Sequence, residues 1–420
     1  MTPAGPSVGY LVPTFPSQTH AFFWREAVGL RERGVSVRFF STRRPPAGAC
    51  RHAFAPEAAA STHYTYPPRL PAALGLLASR PAAALGALAY VARLRQCGIA
   101  GRLRALGLLL AAADLAWACR REPLDHLHAH SCADVAHVAA LFARLTGTPY
   151  SLALHGDLDV YGRDHASKME RAAFVAVDTL PLRREVAAQV GLGDERLPVI
   201  KMGVDIEAYA GRAERSAARV GRLHVVTVAR LDICKGHAFA LEALARLKAA
   251  GTEVRYTIVG KGLDRASVEA DVDRLGLRPQ VEFPGTLGEH EVRELLGRAD
   301  VFALTSIGLG EAAPVSVMEA MAAGLPVVCS RIGGTPELIE HDVDGLLVEQ
   351  RDVGGIAAAL QALAGDLALR LRLGTAARAR ADAAFGYRVG AARLHEQIQR
   401  HAGGRWATLA LSLTSAAPLS

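Results

Sequence analysis

Short apolar segments alternate with helix-compatible stretches along most of this chain, and this alternation constrains the fold more than any other feature. Residues 8–12 and 35–40 are apolar runs, and the stretch 18–33 between them has a helical pattern that Gly34 closes. Strand, helix and strand in this order form a βαβ unit, which requires a parallel sheet. Further candidate strands of the first half lie at residues 126–129, 150–154, 174–177 and 198–201.

The second half repeats this alternation in shorter units, with candidate strands at residues 223–229, 254–259, 281–283, 301–304, 326–329 and 345–348. A chain of 420 residues exceeds the size at which one hydrophobic core usually stops growing. We therefore predict an α/β protein with two doubly wound, Rossmann-like domains. Open sheets of this kind bind ligands at the carboxyl ends of their strands. The predicted domains span residues 1–205 and 206–385, with a polar lead-in at 209–221, a helix at 386–400 and a tail at 401–420.

Composition argues against several classes of protein. The six cysteines are scattered and none forms a Cys-x-x-Cys pair, so neither a disulfide framework nor a structural zinc site is expected. The net charge of +7 is modest, and no nucleic-acid-binding motif accompanies it. No Gly-x-Gly-x-x-Gly follows the first strand, which argues against a dinucleotide oxidoreductase. The first residues lack the pattern of a signal peptide, so we expect a cytoplasmic location.

Residues 67–121 differ from the rest of the chain. They are rich in Leu and Ala and contain eight arginines but one acidic residue, Asp114. Their longest nearly uncharged run, residues 105–119, is shorter than the roughly 20 residues that a membrane span needs. Two interpretations stay open: basic amphipathic helices that lie on an anionic membrane surface, and ordinary helices that pack on the core with solvated arginines.

The segment 310–328 contains two glutamates in a predicted loop-and-helix arrangement. Glu311 lies in the loop, Pro314 suits the first turn of the helix, and Glu319 lies within the helix. A carboxylate in an otherwise apolar helix needs a hydrogen-bonding partner, and ribose hydroxyls would supply one. The start of this helix, around Val315 and Ser316, offers backbone N–H groups to a phosphate.

Cationic and glycine-rich loops follow two other predicted strands. Arg230 and Lys235 come after residues 223–229, where two positive charges suit a diphosphate. Gly260 follows residues 254–259, and the pair Gly333-Gly334 suits close approach of the backbone to a ligand. In the first half His155 follows residues 150–154 and can face a cleft. The other candidates, His126, His128, His130 and the triplet Asp157-Leu158-Asp159, are not expected to bind metal.

Several segments of the chain resemble the retaining glycosyltransferases of family 4. They are Glu311 and Glu319 with the continuation EAMAAGLPVV, the residues Arg230 and Lys235, and the run 333–339. The resemblance is strong over residues 195–385. It implies the GT-B fold, in which two Rossmann-like domains face a central cleft, and a C-terminal helix that returns to the first domain. It further implies retention of anomeric configuration, no obligatory metal and no cofactor besides the nucleotide-sugar substrate.

The resemblance also assigns roles to individual residues. Arg230 and Lys235 neutralise the diphosphate of the donor, and Glu319 binds the ribose. Glu311, with the backbone amides near Ala312 and Ala313, holds hydroxyls of the transferred sugar, and His155 contacts that sugar. The nucleotide-sugar site also includes Gly260, Pro314, Val315 and Ser316.

Residues 13–19 and 24–26 look like the branch of this family that makes exopolysaccharides of the colanic-acid type, although His20 stands where that branch has Phe. This places Ser17, Thr19 and Glu26 on the acceptor side. The prediction is transfer from a nucleotide-sugar, with UDP as the expected nucleotide, to a lipid-linked or polysaccharide acceptor at the inner face of the cytoplasmic membrane. Two alternatives are a nucleotide-sugar epimerase or sugar-phosphorylase relative on this fold and a non-catalytic nucleotide-sugar-binding protein. The glutamates with Arg230 and Lys235 favour the transferase.

Overall fold

The computed structural model describes residues 5–209, 222–308 and 311–401. The predicted lead-in at 209–221 and tail at 401–420 therefore lie outside the described residues, apart from Tyr209 and His401. The chain divides into two compact units. The first contains the residues up to Cys50, Phe54–Ile200 and the segment from Gly390 onward, and the second contains Arg51–Ala53 and Lys201–Val389.

The first unit contains a six-stranded parallel sheet with the strand order β3-β2-β1-β4-β5-β6, the order of the Rossmann fold. The central strands β4 and β5 are buried along their whole length because helices cover the sheet. The strands are β1 (Ser7–Thr14), β2 (Ser36–Arg43), β3 (His63–Tyr64), β4 (His126–His130), β5 (Tyr150–Leu154) and β6 (Val175–Val177). The helices are α1 (Ala21–Arg31), α2 (Ala55–Ser61), α3 (Leu70–Ser79), α4 (Pro81–Arg93), α5 (Gly98–Ala118), α6 (Asp134–Thr146), α7 (His165–Met169) and α8 (Leu180–Val190).

The second unit repeats this plan, with the parallel strand order β12-β11-β10-β7-β8-β9. The prediction of two parallel-sheet Rossmann-like domains is confirmed. The strands are β7 (Arg222–Val228), β8 (Glu253–Val259), β9 (Val281–Gly285), β10 (Val301–Leu304), β11 (Val327–Ser330) and β12 (Leu346–Val348). The helices are α9 (His237–Ala249), α10 (Arg265–Arg274), α11 (Glu289–Leu296), α12 (Val315–Ala322), α13 (Thr335–Leu338), α14 (Val353–Gly365), α15 (Leu367–Ala384) and α16 (Tyr387–His401), which begins in the second unit and ends in the first.

Two predicted elements of the first half are corrected by the structure. Residues 198–201 do not form a strand, because Val199 makes only an isolated bridge to Val177. Helix α1 begins at Ala21 rather than at residue 18, since the amide of His20 donates to the carbonyl of Ser17 at 3.1 Å and closes a turn before the helix.

Helices α3, α4 and α5 place one face on the core and another in solvent. Ala73, Leu76 and Leu109 are buried in the first unit's core, and Asp114 is fully buried and paired with Arg69 at 2.8 Å. Seven large apolar side chains of these helices are exposed, as are all eight arginines of residues 67–121. These apolar residues are Leu70, Leu74, Leu85, Leu88, Ile99, Leu103 and Leu106.

Among the described helices, none is by itself both long and apolar enough to span a membrane. Two pairs of consecutive helices reach the required length and composition only when joined. The axes of α3 and α4 are bent by 109°, and those of α14 and α15 by 106°.

Candidate functional site

The loops after β7 and β10 carry a buried ion pair. Lys235 Nζ lies 2.5 Å from Glu311 Oε2, and the exposed fractions of the two side chains are 14% and 9%. Ser306 Oγ donates to the same carboxylate oxygen at 2.7 Å. The structure thus brings together two of the predicted site residues, Lys235 and Glu311, at the carboxyl edge of the second sheet.

Gly236 allows these two loops to pack against each other. Its φ of +66° is left-handed, and a Cβ atom at this position would lie 1.9 Å from the carbonyl oxygen of Thr305. Thr305 Oγ1 donates to the carbonyl of Gly236 at 2.8 Å, and the amide of Ile307 donates to the carbonyl of Cys234 at 2.8 Å. These bonds hold Lys235 beside Glu311.

The Gly333-Gly334 turn after β11 supports the loop that carries Glu311. Gly333 has a φ of +53°, and a Cβ atom there would lie 1.7 Å from the carbonyl oxygen of Glu311. The amide of Gly334 donates to the carbonyl of Ala312 at 2.7 Å. The predicted close approach of this backbone is therefore to the Glu311–Ala312 segment of the protein itself, with Ala312 and Ala313 both buried.

Helix α12 begins at Val315, and Pro314 is its N-cap residue rather than part of the first turn, with ψ at 113°. Pro314 provides no side-chain hydrogen bond to the first-turn amides. Because residues three and four positions apart share a face, Glu319 lies on the same side of the helix as Val315 and Ser316. All three are only partly buried. The opposite face carries the core residues Val317, Met318, Ala320 and Met321.

Arg230 lies at the same carboxyl edge but is more exposed. Its Nη1 is 2.5 Å from Asp232 Oδ2, and 56% of its side chain is exposed. The buried His237 donates from Nε2 to the carbonyl oxygen of Arg230 at 2.9 Å. Burial lowers the pKa of His237, so its imidazole is neutral at pH 7. Arg230 thus has a solvent-exposed side chain, and the hydrogen bond from His237 holds its backbone in place.

Gly260 ends β8 beside the end of β7. With a φ of +145°, a Cβ atom at Gly260 would lie 1.9 Å from the carbonyl oxygen of Ala229, and its amide donates to the carbonyl of Gly285 at 2.9 Å. The lack of a side chain lets the two strand ends approach closely. This places the start of the Arg230 loop against the backbone of Gly260.

His155 lies at the carboxyl edge of the first sheet, as predicted, but both of its ring nitrogens are engaged inside the protein. Nδ1 lies 2.9 Å from Asp178 Oδ2, and Nε2 lies 3.2 Å from His130 Nδ1. Its backbone amide donates to the hydroxyl of Tyr161 at 3.0 Å. Burial lowers the pKa of His155, but Asp178 and Glu26 raise it by more, and the net pKa lies above the ordinary value.

The predicted acceptor-side residues occupy different surroundings. Ser17 is partly buried and Thr19 exposed in the turn between β1 and α1, whereas Glu26 lies within α1. A carboxylate oxygen of Glu26 and one ring nitrogen each of His128 and His130 lie within 4.8 Å of one another. Burial raises the pKa of Glu26 to about 7. Glu26 therefore contacts the histidines of β4 rather than Ser17 and Thr19.

His126 and His128 of β4 share a hydrogen-bond partner on the neighbouring strand β5. His126 Nε2 and His128 Nδ1 both lie 2.7 Å from Ser151 Oγ on β5. Burial lowers the pKa of His126 to about 3, and it also holds the pKa of His128 well below the ordinary value. His126 and His128 are thus neutral imidazoles that share a hydrogen-bond partner, Ser151.

Sequence reasoning missed several residues that complete these sites. Asp178 follows β6 directly, and Thr305 and Ser306 follow β10 directly. Polar side chains at the carboxyl ends of parallel strands are the signal that could have identified all three.

Residues 213–380 match the family described as Glycosyl transferases group 1. The chain is 38% identical over 178 residues to the putative colanic acid biosynthesis glycosyltransferase WcaL of Escherichia coli (strain K12), a match covering 41% of this chain and 43% of the relative. It is 35% identical over 215 residues to the amylovoran biosynthesis glycosyltransferase AmsK of Erwinia amylovora, covering 50% and 52%. The chain thus spans about half the length of these curated relatives.

Solved structures with the GT-B fold are similar to this chain. Anabaena Alr3699/HepE, in complex with UDP and glucose, matches with a TM-score of 0.71 at 17% identity, over 94% of this chain and 99% of that protein. The sucrose-phosphate synthase of Thermosynechococcus elongatus matches with a TM-score of 0.71 at 18% identity, over 98% and 100%. The fold agrees with the one that the resemblance in the sequence implies.

Proposed function

We propose that this protein transfers a sugar from a nucleotide-sugar donor to a growing cell-surface glycan. The observation that carries the proposal is the carboxyl edge of the second sheet, where Lys235, Glu311 and the start of α12 come together. The match to group 1 glycosyl transferases covers this edge, and the relatives named for colanic acid and amylovoran biosynthesis support an exopolysaccharide product.

The donor is assigned to the domain 206–385, with UDP as its nucleotide. Lys235 and Arg230 are the cations for the diphosphate, and the start of α12 adds the positive end of a helix dipole. Glu319, one turn further along the same face, is placed to bind the ribose hydroxyls. The UDP-bound structure of HepE, which shares the fold, supports this choice of nucleotide.

The reaction is proposed to retain anomeric configuration and to need no divalent metal. Two cations and a helix N-terminus can stabilise the charge that develops on the leaving diphosphate without a metal ion. Turnover in EDTA and the coupling constant of the new anomeric proton in an NMR spectrum test these two points. Loss of activity in EDTA that Mg²⁺ or Mn²⁺ restores would contradict the first, and an inverted linkage would contradict the second.

The acceptor is assigned to the domain 1–205, and a cavity of about 420 Å³ supports a lipid-linked one. The cavity lies where β1 and β2 end, and Thr14 and Thr42 form part of its wall. Four cationic side chains line it against a single carboxylate, Asp134, so its charge suits a lipid phosphate or diphosphate. These cations are Arg43, Arg104, Arg163 and Lys168.

We further propose that the protein lies on the inner face of the cytoplasmic membrane through α3, α4 and α5. Exposed apolar side chains on these helices, such as Leu85 at 67% and Ile99 at 78%, are interspersed with exposed arginines. Apolar side chains enter the interface of a bilayer while arginines contact anionic headgroups. α5 also contributes Arg104 and Leu108 to the cavity, which would bring a membrane-borne acceptor to the site.

The experiment that tests the proposed function is a donor panel. Purified protein is incubated with UDP-, GDP- and ADP-sugars, and ligand-induced thermal shifts select the nucleotide before transfer to lipid-linked acceptors is measured. A shift with UDP-sugars followed by transfer is the expected result. Conversion of the sugar without transfer would favour the epimerase alternative, and binding without turnover would favour a non-catalytic protein.

A further inference from the structure

A row of buried ionisable side chains crosses the carboxyl edge of the first sheet. Asp178 follows β6, His155 follows β5 and His130 ends β4. The distances are 2.9 Å from Asp178 Oδ2 to His155 Nδ1 and 3.2 Å from His155 Nε2 to His130 Nδ1. The row therefore links a carboxylate to two imidazoles and uses both nitrogens of His155.

Glu26 lies beside the His130 end of this row. His130 Nε2 is buried, and no group among the described residues is hydrogen-bonded to it. A buried imidazole nitrogen without a partner is costly unless a proton donor or acceptor reaches it. The Glu26 carboxylate lies within 4.8 Å of the His130 ring, close enough for a small rotation or one water molecule to complete the contact.

The pKa values of Glu26 and His155 are both raised. Burial raises the pKa of Glu26 to about 7, although His155 and Tyr10 lower it. His155 has a raised pKa because Asp178 and Glu26 outweigh its burial, whereas burial keeps His130 neutral with a pKa well below the ordinary value. The ionisable groups around Glu26 and His130 are Tyr10 on β1, His20 before α1, His128 on β4, His155 after β5 and Asp178 after β6.

The row has two proton arrangements of equal net charge. In the first, Glu26 is protonated, His130 carries its proton on Nδ1 and donates to His155 Nε2, and His155 is neutral. In the second, the Glu26 O–H bond has broken and His130 Nε2 holds that proton. His130 Nδ1 has in turn passed its own proton to His155 Nε2. His155 is then an imidazolium between two carboxylates, and no proton has entered or left the protein.

We propose that Glu26, His130 and His155 form a proton wire through which Glu26 supplies the positive charge of His155. The use of the proton wire rests on the proposed glycosyl transfer, because His155 becomes charged at the strand end where the sugar is expected. The existence of the proton wire does not. Glu26 is then a positioning residue that sets the charge of His155, and its buried position in α1 explains why it lies apart from Ser17 and Thr19.

Histidine-selective ¹⁵N and glutamate-selective ¹³C NMR tests the proton wire without any turnover. In the wild type, the His155 ring nitrogens and the Glu26 carboxyl carbon should titrate together, since strongly coupled groups share macroscopic pKa values. Glu26→Gln should lower the midpoint of His155 by about one pH unit or more, because it removes a neighbouring negative charge. His130→Gln should separate the two titrations, and the control Ser151→Ala, which alters only the His126 and His128 bonds, should leave them unchanged.

Activity assays give a second, independent measurement. Glu26→Gln and His130→Gln should each reduce kcat by about tenfold or more and shift its pH profile, with the KM for the donor changed by less than about twofold. Folded variants whose His155 titration and kcat both match the wild type would overturn the proton wire. So would a stoichiometric divalent ion held by Glu26, His128 and His130. If the protein transfers no sugar at all, the proposed function fails, and the NMR titration still decides whether the wire exists.

Discussion

Lys235 Nζ lies 2.5 Å from Glu311 Oε2, and the two residues come from loops that follow different strands of one sheet. Ser306 donates to the same oxygen, so Glu311 Oε2 is bound by both an ammonium and a hydroxyl. An anionic ligand that approaches Lys235 therefore finds an ammonium already held in place by protein contacts. Such preorganisation lowers the cost of ordering a flexible lysine on binding.

Glu319→Ala should weaken nucleotide binding while leaving the fold intact, because Glu319 is only partly buried on the α12 face that carries Val315 and Ser316. Loss of a charge-assisted hydrogen bond costs about 1.5–3 kcal/mol, or about a tenfold to hundredfold increase in Kd. Titration calorimetry with UDP measures it. Glu269→Ala on α10 is the matched control, a helical carboxylate of the same unit paired only with a neighbouring arginine. Equal affinities of the two variants would remove Glu319 from the site.

Gly333→Ala should destabilise the second unit and reduce activity, because its Cβ atom would lie 1.7 Å from the carbonyl oxygen of Glu311 at a left-handed φ. Moving that backbone displaces Glu311 from Lys235. We expect a loss of about 1–3 kcal/mol in the free energy of unfolding, measured by chemical denaturation. Gly365→Ala is the control, since no atom lies within 4 Å of its Cβ position and its φ is not positive. A Gly333→Ala protein as stable as the wild type would contradict this account.

Stability should fall between about pH 4.5 and pH 7 because of Glu26. Its pKa is raised from 4.5 to about 7 in the folded protein, so folding favours the protonated form. A raised pKa contributes stability that is complete below the unfolded value and is lost as the pH rises through the folded value. The shift corresponds to about 3 kcal/mol at most. Chemical denaturation of the wild type and of Glu26→Gln at pH 5 and pH 8 measures this loss of stability. The variant should lose less stability than the wild type between the two pH values. An identical pH dependence of the two proteins would contradict the raised pKa of Glu26.

Membrane binding should depend on the apolar face of α5. Ile99 and Leu103 lie four positions apart on this helix and are 78% and 64% exposed. The double variant Ile99→Glu/Leu103→Glu should float with anionic liposomes at least about tenfold less than the wild type, and wild-type binding should weaken as salt rises. Leu263→Glu, at a position that is 98% exposed in the second unit, is the control. Equal flotation of all three proteins would favour α5 as an ordinary helix of the fold.

The sequence predicts the fold well because apolar periodicity is a local property of the chain. The strands at Tyr150–Leu154 and Val301–Leu304 have the predicted bounds, and both sheets are parallel as expected. The error at residues 198–201 arises because an apolar run forms a strand only where a sheet edge continues to pair with it, and Val199 makes a single bridge.

The site could be predicted only in part because side-chain partners depend on tertiary packing. The loop that carries Glu311 lies beside Lys235 because strand β10 pairs with strand β7. The spacing of residues along the sequence does not reveal this strand order. The close approach of the Gly333 turn to the backbone of Glu311 could not be predicted for the same reason. Likewise, the surroundings of Glu26 come from strands β4, β5 and β6, far from it in sequence.

Transfer of radiolabelled sugar from UDP-sugars to a lipid-linked acceptor, by wild type and by Lys235→Ala, tests the central claim most directly. The account predicts transfer by the wild type and a loss of about a hundredfold or more in kcat/KM for Lys235→Ala, because the variant lacks a charge that stabilises the leaving diphosphate. Lys248→Ala on α9, whose Nζ contacts only the carbonyl of Gly276 at 2.6 Å, should match the wild type. Undiminished transfer by a folded Lys235→Ala protein, or no transfer from any nucleotide-sugar by the wild type, would contradict it.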